Sequence, residues 1–152
     1  MTRLPDLGYM AKPTTADGLM CNEVDRPDAA RPLGGEYWSW VQGSGKLSEV
    51  SVSEVITGWD DAARALDELR ADKGQCVFLD PYKELSSGAD RWVVSTQGEI
   101  DLVIAIQRVN HVLVAVTVYA PKGQRAAAYV QPAEKLLAAA VKRAREVGLA
   151  KR

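Results

Sequence analysis

The stretch Glu99-Ile-Asp-Leu-Val-Ile-Ala-Ile-Gln107, continued through Arg108-Val-Asn-His111 into Val112-Leu-Val-Ala-Val-Thr-Val-Tyr-Ala120, decides how this chain is read. Ile100, Leu102, Ile104 and Ile106 recur with the period of two that places side chains on one face of a strand. Val112, Val114, Val116 and Val118 do the same after a turn near Val109-Asn110, where Asn tolerates a left-handed conformation. If both stripes face one core, Ile106 stands opposite Val114 and Leu102 opposite Val118. Upstream, Arg91–Thr96 joins through Gln97-Gly98, which predicts a three-stranded meander.

Working outward, Tyr37-Trp-Ser-Trp-Val41 is aromatic and β-branched between glycines, and Leu47–Ile56 is its hairpin partner. In that partner Val50 and Val52 alternate with serines, predicting one buried and one wet face. Thr57-Gly58-Trp59-Asp60 reads as a helix N-cap box. The helix it opens carries Trp59, Ala62, Ala63, Leu66 and Leu69 on one face and stops at Lys73-Gly74. Cys76–Leu79 reads as a short buried segment, residues 80–90 as a polar loop. Pro132 sits near the start of a final helix that runs to Val147, with Leu136, Leu137, Ala140, Ala144 and Val147 on its apolar face. The expectation is an α+β domain: a twisted antiparallel sheet with an N-terminal hairpin and a C-terminal three-stranded meander, and two main helices packed on one side of it. Residues 1–35, rich in Pro and Gly, form an extended arm. Residues 36–148 form a single domain, and 149–152 a tail.

With 152 residues, 47% of them hydrophobic, and a net charge of −1, the chain suits one globular domain. It offers no polybasic surface for nucleic acid and no apolar run long enough to cross a bilayer. The charge is unevenly spread: residues 46–101 carry twelve acids against six bases, and residues 121–152 carry eight bases against two acids. That pattern fits solvated helix and loop faces, complementary parts of one molecule, or a basic last helix that meets an acidic partner. The N-terminus shows no signal peptide, because Pro5, Asp6, Lys12, Pro13 and Asp17 interrupt any apolar region. This fits a cytoplasmic protein or one whose leader has been removed.

Chemistry is sparse. Phosphate-loop, dinucleotide, zinc-protease and nucleophile-elbow motifs are missing. One histidine and two cysteines are too few for a zinc site, so neither metal nor cofactor is expected. Cys21 and Cys76 are either two buried thiols or one disulfide; a bridge closing so long a loop contributes about 4 kcal/mol in the chain-entropy account. Were the protein an enzyme, Asp101 on its apolar strand and His111 beside its turn would be the first catalytic candidates. Trp38 and Trp40, which share a strand face, together with Trp92 and Tyr119, are the candidates for an aromatic-lined cleft that takes an apolar or sugar-like ligand.

The run from Cys76 through Trp92 and Gln107-Arg-Val-Asn-His-Val-Leu-Val-Ala-Val116, then Ala126-Ala127-Ala128 and a closing Leu136-Leu137-Ala138 helix, resembles the PknH-like extracellular sensor domain of actinobacterial receptor kinases and surface lipoproteins. The resemblance spans roughly residues 36–148. It implies an exported α+β domain of the cell envelope with a ligand-binding cleft, no catalytic residues, and a Cys21–Cys76 disulfide. Family members often hold a second cysteine pair where this chain has Gln107 and Ala120. The expected function is thus a non-enzymatic, extracytoplasmic sensor or ligand-binding domain. Its partner would be an unknown small molecule or an envelope protein, without nucleic acid, and it would act as a monomer or weak dimer. A motif-less cytoplasmic enzyme of cyclase or isomerase type, or a protein-interaction module, are the alternatives.

Overall fold

The computed structural model describes residues 9–10, 14–15, 30, 32–41, 50–71, 82–96, 101–121 and 123–146. Their order is β1 (Tyr9–Met10), β2 (Thr14–Thr15), β3 (Pro32–Val41), β4 (Ser51–Trp59), α1 (Ala62–Ala71), β5 (Tyr82–Ser87), β6 (Arg91–Thr96), β7 (Leu102–Val109), β8 (Val112–Tyr119), a 3₁₀ turn (Ala126–Tyr129) and α2 (Val130–Glu146). All eight strands join one open antiparallel sheet, in the order β1-β3-β4-β8-β7-β6-β5, with β2 also paired to β3. The α+β class and the N-terminal hairpin follow the sequence reading.

The register of the central hairpin does not. Val109 pairs with Val112 across a two-residue turn in which Asn110 has φ 54°. Ile106 therefore lies opposite Ala115, and Leu102 opposite Tyr119. A one-residue change of register moves every side chain to the other face. The isoleucine and valine stripes consequently face opposite sides of the sheet, and each side carries its own helix. Leu102, Ile104, Ile106, Leu113 and Ala115 pack with Ala62, Ala65 and Leu66 of α1. Val103, Ala105, Val114, Val116 and Val118 pack with Ala133, Leu137, Ala140, Val141 and Ala144 of α2. The expectation of both helices on one side is corrected accordingly. Two-sided burial also explains the nearly unbroken apolar runs of β7 and β8, since neither strand has a wet face.

Three local expectations change for related reasons. The meander has four strands, because β5 occupies part of the stretch read as a polar loop. It is an exposed edge strand with a bulge between Glu84 and Ser86, so nothing forces an apolar alternation on it. Thr57–Trp59 belongs to β4, and α1 is capped instead by Asp61, whose Oδ1 accepts the Arg64 N–H at 3.0 Å. The serines of β4 do not mark a wet face: Ser53 is 3% exposed and Thr57 is wholly buried.

The α2 helix is oriented by charge as well as by its apolar face. Near its start Glu134 accepts from Arg91 of β6 at 2.7 Å, and near its end Arg143 donates to Glu54 of β4. Nine helical residues rise about 13.5 Å, close to the roughly 14 Å from β4 to β6 across three strand spacings. A helix laid down in reverse would oppose Glu134 to Glu54 and Arg143 to Arg91. The two pairs thus specify its direction.

Asn110 is the only described non-glycine residue with positive φ. Replacing it by Ala should cost about 1 kcal/mol of stability, while Gly should be near neutral. Urea denaturation of N110A and N110G checks this, and equal losses in both would place the cost elsewhere.

Candidate functional site

The residues singled out in the sequence are scattered by the fold. Asp101 precedes β7 and His111 follows it, so the strand holds them about 25 Å apart. Each is tied into the backbone: the Asp101 carbonyl accepts the Ala120 N–H, and the His111 carbonyl accepts the Trp59 N–H, both at 2.8 Å. They form no acid–base couple. Trp92 is 2% exposed, donates from Nε1 to Glu84 at 2.8 Å, and meets the Tyr82 ring edge-on at 6.3 Å. It fills the interior and satisfies its own polar atom there. In β3, Trp38 stands opposite Glu54 and Trp40 opposite Val52. Tyr119 is half-buried, opposite Ser51 on one side and Leu102 on the other. Cys21 and Cys76 lie outside the described residues. Among the described residues no group of three His, Cys, Asp or Glu side chains is placed to hold a metal ion.

Two polar features of the interior do stand out, and both belong to β4. On the α2 side, Glu54 is 4% exposed and is held by the Arg143 guanidinium. Burial pushes its carboxyl above the ordinary value of 4.5, and the charge and hydrogen bond of Arg143 pull it back without cancelling the effect. On the α1 side, Ser53, Val55 and Thr57 form one row. Ser53 Oγ and Thr57 Oγ1 are buried and have no hydrogen-bond partner among the described residues, and the same is true of Trp59 Nε1 two positions on. Opposite this row stand Thr117 beside Ser53 and Ala115 beside Val55, with Tyr119 on the rung of Ser51. A buried hydroxyl without a partner costs roughly 1–3 kcal/mol. Three orphaned polar atoms within seven residues of one strand are thus a feature of the fold that its own packing does not explain.

Sequence reading missed these residues for a definite reason. A Ser-Val-Ser-Glu-Val-Ile-Thr pattern looks like a half-wet strand when only one face is taken to be covered. The signal available was Glu54, a charge at a position whose neighbours two residues away, Val52 and Ile56, are core residues. No family model, curated protein or solved structure matches this chain.

The Glu54–Arg143 pair sets a pH dependence. The folded-state carboxyl titrates above its unfolded value, so the folded state binds protons more readily. Its contribution to stability is present in full below pH 4.5 and is lost as pH rises through the raised value. Arg143→Met leaves an unpaired buried carboxylate and should cost about 3 kcal/mol at pH 7, with the deficit shrinking towards pH 4.5 as Glu54 takes up its proton. Glu54→Gln should remove the slope in that window. Urea unfolding of both variants across pH 4–8 measures this, and a deficit independent of pH in Arg143→Met would show that Glu54 is not the titrating group.

Proposed function

We propose that this chain is a non-enzymatic ligand-binding domain of the extracytoplasmic sensor type, which receives a small molecule on the α1 side of its sheet. The observation that carries the reading is the row of β4 in which the Ser53 and Thr57 hydroxyls are buried without partners. Interiors keep such groups rarely, and hydroxyls left unmet in the ligand-free fold are groups that a bound ligand can satisfy. The aromatic residues Trp59, Tyr82 and Tyr119 are partly buried against the same apolar cluster, which fits the mostly apolar lining of small-molecule sites. Against the enzyme alternative, Asp101 and His111 stand at opposite ends of β7. The envelope location rests on the resemblance to the PknH-like sensor domain, whose α+β class this sheet shares.

The reading makes a signed prediction for the ligand-free protein. If the two hydroxyls await a ligand, Thr57→Val and Ser53→Ala should each raise stability by about 1 kcal/mol, because an unmet buried hydroxyl is removed. This is the stability cost that a binding site commonly carries. A loss of stability in both variants would show that the hydroxyls are already satisfied, and the reading would fall. A metabolite screen by thermal shift should then give a compound that raises Tm saturably and is recovered unchanged. Conversion of that compound would support an enzyme instead. Fractionation of the native cells should place the protein in the envelope.

A further inference from the structure

We infer that the exposed face of α2 docks on an anionic lipid surface, drawn there by the charge of its lysine and arginine side chains. Gln131, Lys135, Ala138, Lys142 and Arg145 are all exposed. At 3.6 residues per turn they fall within about 80° of the helix circumference, in a single stripe about 21 Å long. Lys135 and Arg145 form no ion pair among the described residues, and Lys142, whose side chain is 78% exposed, meets Glu146 only at 4.0 Å. The other charged residues of α2 are engaged elsewhere, Glu134 with Arg91 and Arg143 with Glu54. The stripe itself thus carries three bases and no acid. Past α2 the sequence adds Lys151 and Arg152, again without an acid.

The character of the stripe selects the partner. Among the described residues the exposed large apolar side chains are Leu33 of β3 and Leu85 of β5, so the α2 face offers none. A protein interface is ordinarily anchored by a buried aromatic or Arg side chain seated in a pocket, and a helix that enters the acyl region needs large apolar residues. A nucleic-acid contact ordinarily neutralises about six to ten phosphates, more than this stripe supplies. Lipid headgroups move in the plane of the bilayer and gather wherever the fixed charges lie, so no matching spacing or shape is required of them. Each Lys or Arg near such a surface strengthens binding about fivefold. The opposite side of the sheet reinforces the orientation, because Asp61 and Asp67 are exposed on the α1 side and an anionic surface repels them. The domain thus sits with α2 against the headgroups and α1 towards the water.

The test is co-sedimentation of the full chain with two kinds of vesicle, at low and at high salt. One kind is pure phosphatidylcholine, the other equal parts phosphatidylcholine and phosphatidylglycerol. Binding should require phosphatidylglycerol and fade as salt shortens the Debye length. Lys135→Gln and Arg145→Gln should each weaken it about fivefold, with Tm unchanged because both side chains are exposed. Arg64→Gln removes the same charge from α1 and should leave binding nearly unchanged, which separates a local face from net charge. Equal binding to both vesicles, binding that neither α2 variant alters, or no binding to phosphatidylglycerol at low salt would each overturn the proposal. Retention on polyaspartate that both α2 variants lower, without vesicle binding, would give the face to an acidic polymer instead. A salt-sensitive dimer that the same variants dissolve, again without vesicle binding, would give it to a second copy of the chain.

Discussion

The structure depends on the register of one hairpin. A two-residue turn at Asn110 and His111 closes β7 onto β8 so that the isoleucine stripe of one strand and the valine stripe of the other look in opposite directions. A sheet whose central strands are apolar on both faces cannot leave either face in water, because each exposed stripe would forfeit about 25 cal/mol for every Å² of apolar surface. Two helices on opposite sides are the consequence. With α1 and α2 on the same side, one stripe would have been solvated.

The same constraint accounts for the polar groups inside. Once both faces of β4 are covered, every residue from Val52 to Thr57 is buried, polar or not. Glu54 is tolerated because Arg143 meets it, and that meeting helps to fix which way α2 runs. Ser53 and Thr57 have no such partner among the described residues, which sets them apart from Thr96, whose Oγ1 accepts the Leu102 N–H at 3.0 Å. Buried pairs such as Glu54–Arg143 seldom add net stability, since desolvation offsets much of their attraction; their effect here is directional.

Much of the fold was legible. The strands β4, β6, β7 and β8 and the helices α1 and α2 are all visible as periods of two or of three to four, and Asn110 marked the turn. What escaped was whatever lacked an apolar pattern or depended on its neighbours. Edge strand β5 is Tyr-Lys-Glu-Leu-Ser-Ser with a bulge, so it reads as loop. The capping residue of α1 was misplaced because Thr57 and Asp61 carry equally good side chains for that task, and only the extent of β4 decides between them. Of the residues proposed for ligand contact, Tyr119 lies by the hydroxyl row, while Trp92 is satisfied within the core.

The sequence by itself determined the class of the domain, its antiparallel meander and its two amphipathic helices, because periodicity and turn chemistry are local and each segment carries its own. Tertiary structure alone decided which face each helix covers, and therefore which polar side chains are sealed in without a partner. Burial belongs to a residue's neighbours in space: Ser53 has the same hydroxyl whether β4 is wet on one side or covered on both, and only the covering helices and strands seal that hydroxyl in.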